Sequence, residues 1–447
     1  MENKKRKEFF LLLFLSLFLI SSPVQGASQV AEIPPLIGEE EPLVKEEPRD
    51  QDLLVPTIKG VQQATKKEFD KVKELEKKTT DELIGSYLVG DYSSGEILMA
   101  KEADKVVGLA STSKLMTIYL VMDAVESGRI KMSDRVTIDK EASSLTGSTY
   151  KTKENEVYTV EELIHAGLVV SGNDAMIALA KHISGSQEAF VNEMNQKAKD
   201  LGLTNAHFIN VHGLTDYVKN DYNQMTTSEL FILARNLIQD YPEVIGISQR
   251  TVINEEGRNF LCYNTNPLLG IVPEVDGLKT GYTNAAGRCL VATSLTKDQG
   301  AKKATRLIGV FMNSAGNWER FVGTKRVMEE AIERFSYETI ANPKKDLDTL
   351  SLKNASPNQV LVYPEKPKML LLDSGKYFHK EIEYFDLKLP IKKGGKVGKV
   401  KYFLEDDLMY ETNLIVKEEI RKPNIILHIK DQIRLAFQGL DAKVAQR

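Results

Sequence analysis

The sequence predicts an α+β fold, in which a region mixing helices with antiparallel strands precedes a small all-β domain. Three observations predict it. Helical runs open with capping boxes, strand-like runs are joined by short hairpin loops, and beyond about Asn342 short strand candidates alternate with proline, glycine and lysine. At 447 residues the chain has room for two or three domains of roughly 100–200 residues each.

The elements follow in order. Residues 1–26 carry a basic start (Lys4 to Lys7), an apolar block from Phe9 to Ile20 and small residues up to a cut after Gly26, which is the pattern of a secretory signal peptide. Residues 27–80 read as an acidic, proline-rich linker followed by a charged helix. That helix has a thin apolar stripe, Phe69, Val72 and Leu75, and is expected to act as a spacer. The catalytic region is expected at 81–340. It starts with a hairpin, SYLVGDYSSGEILMA, turning at Ser93-Ser94-Gly95. A helix is predicted from about Ser111 to Ser127, with Gly128 as its stop. Capping boxes of Thr159 with Glu162 and Thr226 with Glu229 open two more, LIHAGLVV and LFILARNLI.

Three strand-like runs, VDGLKTGY, RCLVATSLT and RLIGVFMN, come next, the last two joined by KDQGAKKA, and a helix from about Trp318 to Phe335 closes the region. Within 341–423 the strand candidates are TLSLKNA, QVLVYP, IEYFDLKLPI and TNLIVKEEI. In residues 424–447, Ile426, Ile429, Ile433, Phe437, Leu440 and Val444 recur at helical spacing. Such a helix suits either a membrane surface or the flank of the β domain.

Composition narrows the function. A net charge of −4 leaves no basic excess to neutralise phosphates, which argues against nucleic-acid binding. Two cysteines, Cys262 and Cys289, cannot make a disulfide framework, and they read as buried thiols more readily than as a pair. His207 and His212 do not have the spacing of a common zinc motif; packing and loop shape are the expected roles.

The chemistry-bearing candidate is LASTSKLMT, where Ser111 and Lys114 lie three apart at the start of an apolar run. Alone, S-x-x-K is weak, since roughly two copies occur by chance in such a chain. Two further elements raise its weight: Ser171-Gly172-Asn173 between two helices, and Lys279-Thr280-Gly281 inside a strand-like run. Residues three apart on a helix share a face, so Lys114 can reach Ser111. If neutral, Lys114 takes the hydroxyl proton; burial and a second cation at Lys279 would lower its pKa for that role. Ser171 can relay a proton to the leaving group and Asn173 can donate to a substrate amide. Lys279 and Thr280, on an edge strand, can hold a carboxylate. Gly281 admits substrate backbone, and the N–H of Tyr282 can complete an oxyanion hole with that of Ser111.

In this order S-x-x-K, S-x-N and K-T-G resemble the motif set of penicillin-binding proteins and serine β-lactamases. With DYSSGEIL, LVVSGNDA, NVHGLTD, NTNPLL and VDGLKTGYTNAAGRCLVA, the sequence is most similar to the low-molecular-mass penicillin-binding proteins that are D-alanyl-D-alanine carboxypeptidases. The resemblance implies a β-lactamase/transpeptidase-like antiparallel sheet flanked by helices, a C-terminal β domain and an amphipathic anchor at the membrane surface. It implies a serine hydrolase, exported to the outer face of the cytoplasmic membrane or cell wall, that trims peptidoglycan stem peptides through an acyl-enzyme. It further implies covalent β-lactam binding and no cofactor or metal. The family often carries histidine after K-T-G, where this chain has Tyr282. The alternatives are a β-lactamase, for which no convincing glutamate loop lies between Asn173 and Lys279, a D,D-endopeptidase or transpeptidase, and a non-catalytic wall scaffold.

Overall fold

The computed structural model describes residues 66–258 and 260–423. The expected signal peptide, most of the linker and the amphipathic tail lie outside the described residues.

The first described helix, α1 (Lys66–Leu75), corrects the spacer expectation. Val72 and Leu75 are buried, in one apolar cluster with Trp318, Phe321 and Val322. Arg326 donates to the carbonyls of Glu76 and Lys78, at 2.9 and 2.6 Å, which satisfies backbone oxygens just past the helix end. A stripe too thin to make a core alone is enough when a second helix completes it.

The predicted hairpin forms β1 (Ser86–Asp91) and β2 (Ile97–Lys101), turning through Gly95 at φ +80°. The long apolar run becomes α2 (Lys114–Glu126), preceded by a 3-10 turn over Ala110–Ser113. Both predicted capping boxes are present, at the starts of α3 (Val160–Val169) and, further on, α5 (Thr227–Asp240). Between them, α4 (Asn173–Ser184) starts within the S-x-N element. The three strand-like runs are β3 (Val275–Thr283), β4 (Gly287–Leu295) and β5 (Arg306–Ser314), and α6 (Asn317–Arg334) follows.

These strands form one antiparallel sheet in the order β2-β1-β5-β4-β3, so the K-T-G strand is at an edge. Side chains alternate between faces, and each face has its own core. Val291, Ile308 and Val310 pack on the α2–α5 side, whereas Leu290, Leu307 and Phe311 pack with α6. The architecture is therefore helix, sheet, helix.

Beyond α6 the described residues form only strands and their connections. Strand β6 (Phe335–Ala341) pairs both with Lys302–Lys303 and with β9 (Lys368–Asp373), bridging the two regions. The remaining strands, β7 (Asp348–Ser351), β8 (Gln359–Pro364), β10 (Phe378–Tyr384), β11 (Lys396–Leu404) and β12 (Asp407–Val416), make a second sheet in the order β7-β8-β12-β11-β10. Three strands here, β6, β9 and β11, escape the sequence pattern. KVGKVKYFL is not among the strand candidates, yet it pairs with β12 and its Val397, Val400 and Tyr402 are buried. The stretch DLKLPI, expected to continue a strand, lies beyond the end of β10.

Candidate active site

Ser111 is not the capping residue that a bare helix start would make it. The residue before it, Ala110, has φ +47°, and the 3-10 turn places Ser111 one turn ahead of α2. Its Oγ lies 2.8 Å from Lys114 Nζ and 3.5 Å from the carbonyl of His212. Lys114 is wholly buried, and its Nζ also lies 2.7 Å from Asn173 Oδ1 and 2.7 Å from the His212 carbonyl. Burial holds this amine well below the ordinary lysine range; the charge of Lys279 adds to the effect and Asp174 opposes it.

The three neighbours of Nζ determine what it can do. The carbonyl of His212 and Oδ1 of Asn173 only accept, and the amide of Asn173 is oriented by its Nδ2 donating to Thr146 O at 2.9 Å. A neutral amine has two N–H groups and one lone pair. In that neutral state the two acceptors would take the N–H groups, and the lone pair would face Ser111 Oγ.

The second and third motifs meet beside the first. Ser171 sits at φ +62° in the three-residue gap between α3 and α4, and its Oγ accepts from Lys279 Nζ at 2.8 Å. Lys279 is buried too, and its pKa is lowered to about 7 by desolvation. Thr280 Oγ1 is 2.5 Å from Thr265 Oγ1. Gly281 faces the 3-10 turn that holds Ser111: a Cβ there would stand 2.9 Å from Ser111 N and 3.0 Å from Thr112 N. The sequence reading gave this glycine to substrate approach, but on this side backbone of the enzyme itself fills the space. Tyr282 packs its ring 3.4 Å from the guanidinium carbon of Arg288, and its hydroxyl donates to Asn284.

A family model for D-alanyl-D-alanine carboxypeptidase matches residues 74–316, more than half of the chain, and one for the C-terminal domain of penicillin-binding protein 5 matches 335–422. The chain belongs to the D-alanyl-D-alanine carboxypeptidases. It is a serine-type hydrolase of the penicillin-binding protein group. The D-alanyl-D-alanine carboxypeptidase DacF of Bacillus subtilis is 30% identical over 344 residues, 75% of this chain and 86% of that protein. DacC of Escherichia coli is 30% identical over 368 residues, 79% of this chain and 88% of that one. Among solved structures, penicillin-binding protein 5 of Haemophilus influenzae aligns with a TM-score of 0.57 at 30% identity, covering 76% of this chain and 98% of that one.

Several residues of this carboxypeptidase's site escape the motifs. His212 enters through its backbone carbonyl. Its ring accepts from Leu214 N at 3.1 Å, and burial, helped by Lys114, pushes its pKa down to about 3, so the ring is neutral. Asn210 holds the loop by accepting from the backbone N–H groups of His212 and Gly213, at 3.2 and 2.6 Å. His207 is apart from this group, with Nε2 3.4 Å from Asp221. Asp174, next to Asn173, accepts from the N–H of Tyr150, Thr152 and Ala175 and from the Thr152 hydroxyl, which ties residues 150–152 to the start of α4. Arg320, on α6, donates to the carbonyls of Gly281 and Cys289 at 3.2 and 3.1 Å, gripping β3 and β4 from the other face. Cys262 and Cys289 are not paired with each other. Among the resembling runs, NVHGLTD and NTNPLL pointed towards the His212 loop and Thr265, and LVVSGNDA contains Asp174 without giving it a role; nothing marked Arg320.

Proposed function

We propose that this carboxypeptidase removes the terminal D-alanine from peptidoglycan stem pentapeptides by acylation of Ser111. The observation that carries the assignment is the buried amine of Lys114, whose lone pair is left for Ser111 Oγ. As Oγ attacks the penultimate D-alanine carbonyl, Lys114 takes its proton, and the developing oxyanion is received by the N–H groups of Ser111 and Tyr282. Ser171, bonded to Lys279, passes a proton to the departing D-alanine amine. The second N–H of the Asn173 amide meets a substrate carbonyl. Lys279 and Thr280 hold the terminal carboxylate, and Gly281 keeps the strand against the nucleophile turn. Water then hydrolyses the ester.

The reading extends to β-lactams, which would acylate the same serine, and to export: residues 1–26 as signal peptide, 27–80 as linker and helix, 81–340 as catalytic domain, 341–423 as β domain. Residues 424–447 would lie on the membrane surface, placing the enzyme at the outer face of the membrane or in the wall.

Mass spectrometry after penicillin exposure tests the assignment. The adduct is expected on Ser111, lasting minutes to hours, and Ser111→Ala should lose both the adduct and D-alanine release. Intact protein without an adduct on Ser111 would refute it, and a lifetime of milliseconds would favour a β-lactamase. Muropeptide products, with and without an amine acceptor, separate carboxypeptidase from endopeptidase or transpeptidase action.

A further inference from the structure

We propose that Asn223 is a positioning residue that ties the turn holding Ser111 to the loop holding the His212 carbonyl, and so keeps Lys114 in place beside Ser111; this rests on Lys114 as the base that activates the serine. Asn223 lies outside the three motifs. It precedes the short strand Gln224–Thr226, which pairs antiparallel with Val106–Gly108. One step beyond that ladder, Leu109 N donates to the carbonyl of Asn223 at 2.9 Å. The next residue, Ala110, turns to φ +47°, and the 3-10 turn begins. The carbonyl of Leu109 accepts in turn from the N–H and the hydroxyl of Thr112, at 3.1 and 2.6 Å. The backbone of Asn223 therefore fixes where the strand ends and where the turn with Ser111 starts.

The side chain of the same residue holds the loop. Asn223 is buried. Its Oδ1 accepts from the N–H groups of Ile209 and Asn210, at 2.8 and 3.2 Å, and its Nδ2 donates to the carbonyl and to Oδ1 of Asn210, at 2.9 and 3.3 Å. A side-chain amide has two N–H groups and two lone pairs on its oxygen, so every position on this one is used and it has a single orientation. Asn210 passes the constraint on. Besides accepting from His212 N and Gly213 N, it donates through Nδ2 to the carbonyl of Leu214 at 2.7 Å. The loop then presents two successive carbonyls to α2: Val211 O accepts from the Thr117 hydroxyl and His212 O from Lys114 Nζ, each at 2.7 Å. One residue thus sets the spacing between turn and loop, and Lys114 Nζ sits where the two meet, 2.8 Å from Ser111 Oγ. All four side-chain hydrogen bonds of Asn223 go to residues 209 and 210, so it acts on the reaction through Asn210 and the His212 carbonyl.

Stopped-flow acylation by a fluorescent penicillin, with rates expressed per titrated active site, separates binding from chemistry. In Asn223→Ala the acylation rate constant should fall about 10- to 100-fold, the cost of misplacing a reacting group by up to about 1 Å, while the dissociation constant of the noncovalent complex is unchanged. A purely structural role would lower the Tm and the number of active sites and leave the rate constant of the remaining sites alone. Asn223→Asp keeps the size and the acceptor but turns the donor into an oxygen facing two oxygens of Asn210. It should lose as much, and it stands in if the alanine variant does not fold. Because Asn223 acts through Asn210, Asn210→Ala should cause a similar loss, and the double alanine variant should lose no more than the worse single one. A wild-type acylation rate constant in a folded variant, a loss confined to binding, or losses that multiply in the double variant would overturn the proposal. The assignment of the reaction fails differently: wild-type enzyme would then form no adduct on Ser111, or Lys114→Met would acylate normally.

Discussion

Replacing Gly213 by alanine should disable the site from outside the three motifs. Gly213 sits at φ +93°, and a Cβ there would lie 1.9 Å from the carbonyl oxygen of Ala110 and 2.3 Å from its carbon. The obstacle is backbone of the nucleophile turn, so no side chain can swing aside. The left-handed conformation costs alanine about 1–2 kcal/mol, and an overpacked methyl adds about 1–3 kcal/mol. The alternative is movement. To open the contact from 1.9 Å to the 3.0 Å that real Cβ contacts respect, the loop must retreat by about 1 Å. The neighbouring His212 carbonyl would go with it, stretching its 2.7 Å bond to Lys114 beyond hydrogen-bonding range. A displacement of that size at a reacting group costs on the order of 10²-fold in rate. Acylation of Ser111 by a fluorescent penicillin, read as a second-order rate constant beside a thermal melt, measures both effects. We expect a loss of about 10²-fold in rate together with a lowered Tm. A variant with wild-type acylation and melting would refute the idea that this loop positions Lys114.

Lys114→Met keeps the volume and removes the base, so acylation should fall by about 10²–10⁴-fold; a rate within tenfold of wild type in stopped-flow labelling would speak against the role. Binding of the terminal carboxylate should need Lys279 protonated. With its pKa lowered to about 7, kcat/KM should decline as pH rises through that value, and decline again on acidification as Lys114 gains a proton. In Lys279→Arg the alkaline decline should disappear while the acid limb stays, which a pH–rate profile checks. Val72→Ala should lower stability by roughly 2 kcal/mol in denaturant titration without changing the acylation rate of the folded enzyme; no loss would mean that α1 does not belong to the folded unit.

Most of the fold was legible because local signals agreed with the tertiary outcome. The capping boxes at Thr159 and Thr226 start helices, and the strand-like runs VDGLKTGY, RCLVATSLT and RLIGVFMN make strands with both faces covered. Where the signals failed, burial came from a partner distant in sequence. The stripe on α1 is too thin to announce a core until α6 completes it. The lysines of β11 mask a strand whose valines face β12.

The sequence by itself determined the chemistry on offer: a serine one turn from a lysine, a second serine and an asparagine between helices, and a lysine and threonine on a strand. These are properties of residue type and short spacing, and short spacing is what helix and strand periods convert into geometry. Only the tertiary structure decided that Lys114 loses its solvent, that the His212 carbonyl and Asn173 accept from its amine, and that Arg320 reaches through from α6 to grip the K-T-G strand. The reason is physical: desolvation and hydrogen-bond partnership depend on every group that surrounds an atom, and these groups come from segments as much as 98 residues apart around Lys114.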